Sequence, residues 1–312
     1  MFQNVALLMQ WPLLHAQFIM LLFFLELPAF ALNFQQYHDQ AFIAEFLRRA
    51  ATENSALVRF EKLGESQEGR EIALVRLSKG PAEDKPAIYI NATHHGNEKA
   101  STEAALGFID YLIRHQDQPV ISQFLSRYAI FVQPLVNPDG HARNSRFDSQ
   151  GRDPNRDYAH PKRSAEQSFR LVETRLVRNL LKRQRFVAAA ALHSGIEAVL
   201  WPWCHSQLPT NDHKAFVNLG RIIADAMSIS NYSQSHDDYR TEGEFIDYAY
   251  MQYGTYAVTV EVSQALKPHP KHLSQVVQRS IKGTLAFISA LDHVLKPQNT
   301  QPTKTSTDLI AH

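Results

Sequence analysis

The chain has 312 residues, 44% hydrophobic and 20% charged, with a formal net charge of +1. That is ordinary for a soluble globular protein, long enough for one large α/β domain or two small ones. So balanced a charge gives no bulk attraction to nucleic acid or to an anionic membrane. The single cysteine, Cys204, excludes an intramolecular disulfide and a thiolate metal knuckle, and it reads as a packed thiol.

In chain order, residues 1–31 read as a signal peptide. Phe18 to Leu27 is mostly apolar, and Ala29-Phe30-Ala31 is a small-x-small cleavage site. No Lys or Arg precedes Arg48, and Glu26 interrupts the apolar run, so an uncleaved anchor is the alternative. The run is too short for a regular transmembrane helix. The expected location is secreted or periplasmic, with no stable membrane partner after cleavage.

The segment His38 to Asn54 carries Phe42, Ile43, Phe46, Leu47 and Ala50 at helical spacing. Two strands, Leu57 to Leu63 and Glu71 to Leu77, flank the turn Gly64-Glu65-Ser66-Gln67-Glu68-Gly69 and predict a hairpin. Ala87 to Ala92 is a β-rich run. A helix follows with Ala105, Phe108, Ile109, Leu112 and Ile113 on one face. Tyr128 to Val136 is strand-like, and a long loop runs from Asn137 to Pro161. Arg163 to Arg185 reads as a basic amphipathic helix. It lacks the interleaved aromatics of a nucleic-acid platform and is read as a solvated face. Val187 to Leu192 and Tyr256 to Val262 are further β runs. His272 to Leu295 is the closing helix, and residues 297–312 form a polar tail predicted to be disordered.

Strands alternating with helices predict an α/β fold: a single-domain α/β/α sandwich around a mixed, largely parallel twisted sheet, spanning residues 32–296. In that frame His95, Asn137, His193 and Glu261 all fall at C-terminal strand ends, where α/β sheets gather their ligand crevices. His95 and Glu98 are three residues apart, so both side chains can address one atom. His193 supplies a third donor at the end of an apolar run. Two imidazoles and a carboxylate with an open fourth position are the donor set of a hydrolytic zinc site. His94 lacks the three-residue spacing to Glu98. Glu261 sits inside Ala257-Val258-Thr259-Val260-Glu261-Val262, where burial of an acid demands a partner or a function. The loop after Asn137 holds Arg143, Arg146, Arg152 and Arg156, which could clamp a carboxylate or meet an oxyanion.

The ordered series His95-Gly96-Asn97-Glu98, Asn137-Pro138-Asp139-Gly140, Asp153-Pro154-Asn155-Arg156, His193-Ser194-Gly195 and Thr259-Val260-Glu261 resembles the zinc metallocarboxypeptidase family related to carboxypeptidase A. Gly64-Glu65-Ser66-Gln67-Glu68-Gly69-Arg70 resembles an early segment of the same family. The likeness spans about residues 36 to 296. It implies one zinc ion held by His95, Glu98 and His193, with Glu261 as general base and Arg146 polarising the scissile carbonyl. It also implies Asn155 and Arg156 gripping the terminal carboxylate of a peptide substrate, and Tyr239, or less well Tyr250, closing over it. Ile246 falls at the base of the side-chain pocket and implies an apolar C-terminal residue; Glu242, Glu244 and Asp247 nearby would instead suit a basic one. The family's Asp-Leu-Asn-Arg-Asn-Phe appears here as Asp-Pro-Asn-Arg-Asp-Tyr, which sets Asp157 beside the clamp. No pro-segment is recognisable. The expected activity is hydrolysis of C-terminal peptide bonds. The alternatives are a zinc amidase or deacylase acting on acyl amino acids or peptidoglycan stems, or an inactive binding module.

Overall fold

A computed structural model describes residues 32–295. The expected signal peptide and polar tail lie outside the described residues. Among the described residues no helix is long and apolar enough to cross a membrane.

The chain enters through helix α1 (Gln40–Glu53), started by Asp39, whose carboxylate accepts from Phe42 N at 2.9 Å. Ile43, Phe46, Leu47 and Ala50 form its buried stripe, as the spacing predicts. The hairpin follows as β1 (Val58–Glu65) and β2 (Glu71–Leu77), paired antiparallel. Next come β3 (Ala87–Ala92), α2 (Lys99–Arg114), α3 (Pro119–Arg127), β4 (Ala129–Gln133) and the short α4 (Pro138–Arg143). Then follow α5 (Val172–Arg183), β5 (Phe186–His193), β6 (Glu197–Trp201), α6 (His213–Met227) and β7 (Tyr232–Gln234). The short α7 (Ser235–Asp238), α8 (Phe245–Tyr253), β8 (Tyr256–Val262) and α9 (Pro270–Val294) complete the described chain.

Among the described residues the strands form one mixed sheet of eight in the order β1-β2-β4-β3-β5-β8-β6-β7. The central four, β4, β3, β5 and β8, are parallel; β2 runs antiparallel to β1 and β4, and β6 is antiparallel to β8 but parallel to β7. Fully buried strands such as β3 and β4 are apolar along most of their length because both faces are covered. Tyr89, Phe131 and Ala189 share one buried cluster with Val177 and Leu180 of α5 and Phe245 and Ala249 of α8. Neighbouring residues such as Ile88 and Ile90 alternate to the other face. Helix α9 packs against both α2 and α6. The predicted sandwich is therefore present.

Several element boundaries differ from the sequence reading. β4 stops at Gln133, before Pro134, which lacks the N–H a ladder needs. The loop after Asn137 contains α4, which Asn137 caps by accepting from Gly140 N at 2.8 Å, with Pro138 in the first turn. The basic helix starts at Val172 rather than Arg163. Asp157 takes the backbone N–H groups of Arg170 and Leu171, both at 3.0 Å, and Phe169 adopts a φ of 55°. α3, α6, α7, α8, β6 and β7 are additions to the sequence reading.

Two close contacts fix the site loops. The buried carboxylate of Asp139 in α4 binds Ser66 Oγ at 2.6 Å, Glu68 N at 3.1 Å and Arg70 Nη1 at 2.7 Å. The hairpin turn is thereby pinned to the loop after β4. Gly96 then lies so close to Gly140 that a Cβ on Gly96 would stand 2.0 Å from the Gly140 carbonyl carbon. Backbone meets backbone there, so only glycine fits. Gly96→Ala is expected to lower stability by roughly 1–3 kcal/mol or more, the scale of overpacking, and to weaken zinc binding, as read by chemical denaturation and zinc titration. Parental stability in that variant would contradict the contact.

Behind this loop Glu173, in the first turn of α5, is buried without a hydrogen-bond partner in another residue. Burial pushes its carboxyl up to about 7, and Asp148 and Asp139 add to the shift. Because the folded state holds this proton to a higher pH than the unfolded chain, the stability it contributes is full below the ordinary Glu range. That stability is lost as pH rises through about 7. Glu173→Gln should therefore stabilise the protein at pH 8.5 and lose that advantage as pH falls toward 5, measured by denaturant unfolding.

Candidate metal centre and active site

The loop after β3 presents His95, and Glu98 immediately precedes α2. His193 is the last residue of β5, the strand beside β3. Nδ1 of His95 lies 2.6 Å from Glu98 Oε1, and Nδ1 of His193 lies 2.8 Å from Glu98 Oε2. One donor atom from each residue falls within 4.8 Å of the others, and all three residues are buried. These are two imidazole nitrogens and a carboxylate, the donor types zinc takes, converging from three elements. The residues fit the ion.

The electrostatics agree. Burial opposes ionisation of Glu98, but His193 and His95 outweigh it and hold the carboxyl below its usual range. Burial likewise opposes charge on His95, yet Glu98 and Asp153 raise its pKa. His94 takes no part. Its Nε2 contacts Tyr158 OH at 2.8 Å, and burial, with His193 and His95 adding to it, lowers its pKa and keeps it neutral.

The sequence reading gives Asp153 no role, although it lies within the Asp-Pro-Asn-Arg motif. Its Oδ1 sits 3.0 Å from His95 Nε2, and its Oδ2 accepts from Arg146 Nε at 2.9 Å. It also accepts from Asn155 N at 2.9 Å. One mostly buried carboxylate thus contacts a histidine of the candidate metal site and an arginine together. Its pKa is depressed well below normal: burial acts the other way and is outweighed by His95, Arg146 and Arg156. The only sequence signal was an acid three residues before Arg156.

Glu261 pairs in register with His193 across the parallel strands β5 and β8. Register partners in adjacent strands are roughly 5 Å apart with side chains on the same face, so the acid stands beside the candidate metal donors. The residue is partly exposed, but Oε2 is buried and lacks a hydrogen-bond partner. Burial raises its pKa well above normal, and Glu98 and Glu244 add to the effect. A divalent cation nearby would reverse that logic.

Arg146 lies along the same rim, its Nη1 3.9 Å from Glu98 Oε1. Arg156 donates from Nη2 to Tyr239 OH at 3.0 Å and pairs through Nη1 with Glu244 Oε1 at 3.1 Å. Burial works against its charge, but Glu244 and Asp153 hold its pKa above the usual value. Asn155 accepts from Phe245 N at 3.0 Å through its side-chain oxygen, so its amide N–H₂ is the group able to meet an anion. Tyr239 is 56% exposed over Arg156, its ring centroid 5.9 Å from the guanidinium carbon. Tyr250 instead donates to Asp212 at 2.9 Å and packs on Trp203 and Phe216. Ile246 is buried in the core cluster with Phe245 and Tyr158. Asp157, expected beside the clamp, turns toward Arg170, Leu171 and Thr174 at the start of α5.

Asp153→Asn, which keeps the shape but removes the charge, is expected to weaken zinc affinity about 10- to 100-fold, the scale for groups that orient metal ligands. Competition with a fluorescent zinc chelator measures it; unchanged affinity would remove Asp153 from that role.

Comparison with known proteins agrees with this geometry. The zinc carboxypeptidase family model matches residues 43–283. Mouse carboxypeptidase A1 is 24% identical over 302 residues, covering 85% of this chain and 72% of that protein. A zinc carboxypeptidase of Saccharothrix mutabilis is 24% identical over 317 residues, again with 85% and 72% covered. The carboxypeptidase A structure of Helicoverpa armigera superposes with a TM-score of 0.74 at 20% identity, covering 83% of this chain and 74% of that one. The chain belongs to the zinc carboxypeptidase family, whose members hydrolyse peptides with a zinc ion.

Proposed function

We propose that this protein removes the C-terminal residue of peptides bearing a free terminal carboxylate. The observation that carries the reading is the His193–Glu261 register pair. It sets an acid whose buried Oε2 lacks a hydrogen-bond partner beside the converging His95, Glu98 and His193 donors. When bound there, zinc supplies Lewis acidity toward water and toward a carbonyl oxygen.

The remaining steps belong to the chain. Arg156 and the Asn155 amide bind the terminal carboxylate, so the scissile bond is the last one and internal bonds are out of reach. Tyr239, already hydrogen-bonded to Arg156 and exposed, covers the bound end. Arg146, oriented by Asp153, donates to the oxygen on which negative charge develops. Glu261 takes a proton from the attacking water and delivers it to the departing amine. The apolar segment Phe18 to Leu27 and the Ala29-Phe30-Ala31 site support action outside the cytoplasm.

Glu261→Gln keeps size and removes the base. Hydrolysis of a C-terminally varied peptide set, read by mass spectrometry, should fall about 10²- to 10⁴-fold while zinc content stays at the parental level. Undiminished trimming with zinc bound would refute the assigned role.

A further inference from the structure

Three acids stand near the clamp: Glu242, Glu244 and Asp247. Two of them are committed elsewhere. Asp247 is buried and accepts from Cys204 N at 2.8 Å and His205 N at 3.3 Å, with His205 Nδ1 2.5 Å away. It braces the Cys204 loop. Glu242 pairs with Arg240 at 2.8 Å and approaches His160 at 3.4 Å.

Glu244 is different. It is 7% exposed, and its Oε1 lies 3.1 Å from Arg156 Nη1. Thr241 Oγ1 donates to the same oxygen, and Cys204 Sγ to the other at 3.3 Å. The hydroxyl and thiol fix the carboxylate without neutralising it; Arg156 is its one cationic contact among the described residues.

That creates a charge imbalance for substrate binding. A terminal carboxylate arriving at Arg156 makes two carboxylates share one guanidinium in a largely buried setting. With a neutral side chain on the terminal residue, one negative charge is left uncompensated, which burial penalises. A terminal Lys or Arg brings its own cation on a flexible stem. That stem starts one carbon from the carboxylate Arg156 holds, so the cation can reach the freed side of Glu244 and restore balance.

We propose that Glu244 is the specificity-determining residue of this site, and that it selects peptides ending in a basic side chain. This rests on the carboxypeptidase reading above. It also reassigns the side-chain preference from the apolar one that Ile246 implies, since Ile246 is packed in the core cluster.

The test combines binding and hydrolysis. Calorimetry of the protein with Nα-acetyl-arginine and with Nα-acetyl-phenylalanine should show about 10- to 100-fold tighter binding of the arginine compound. That is the worth of one hydrogen bond between charged groups. Peptides differing only in a C-terminal Lys, Arg, Phe or Leu should show the same order in kcat/KM. Glu244→Gln should collapse both ratios toward one, and Glu244→Asp should retain part of them. A purely structural role for Glu244 would lower all substrates together and leave the ratios intact, which overturns the proposal. So does a parental protein that prefers Phe or Leu, even if the Gln variant fails to fold; in that case carboxypeptidase activity stands and only the selectivity falls. The arginine preference in binding without hydrolysis of any peptide would support the role of Glu244 and count against the activity.

Discussion

The carboxylate of Glu98, held between the Nδ1 atoms of His95 and His193, is the contact on which the rest of the site depends. It joins the loop after β3 to the end of β5, two neighbouring strands of the parallel core. A buried carboxylate with imidazoles on both oxygens is stable only while those partners stay in place. Much of the surrounding structure serves to keep them there. Asp153 fixes the far nitrogen of His95. The Gly96–Gly140 contact sets the loop that carries His95 against the loop after β4, and Asp139 ties that second loop back to the β1–β2 turn.

The same economy shapes the substrate side. Asp153 contacts Arg146 as well as His95, so the proposed metal donors and the proposed oxyanion donor share one anchor. Arg156 is held between Tyr239 and Glu244 on the far side. The positive charge proposed to meet a substrate carboxylate is already balanced by a resident acid. Under the proposed role of Glu244, which substrate enters best is a question of net charge around Arg156 more than of apolar contact.

Much of this was legible in the sequence because parallel sheets concentrate function at strand ends. Apolar runs marked β3, β5 and β8, and the polar residue breaking or ending each run marked the site. The His95–Glu98 spacing and the lone acid of β8 needed no knowledge of packing. Other features depended on distances in space. Asp153 contacts His95 across 58 positions, and Glu244 meets Arg156 from a separate helix start. By adjacency Asp157 is expected to put a negative charge beside the clamp, yet its carboxylate satisfies backbone groups at the entry to α5. Strands β6 and β7, at one side of the sheet, are short and partly polar, so they carry little periodic signal. In α6 the buried stripe of Phe216, Leu219, Ile223 and Met227 is helical in spacing and could have been found from it.

The most direct measurement is X-ray diffraction from crystals of the zinc-loaded protein, with anomalous data collected on both sides of the zinc absorption edge. The account predicts one strong anomalous peak within bonding distance of His95, Glu98 and His193 together. A peak bound by other residues, with Glu98 still bridging the two imidazoles, would contradict it.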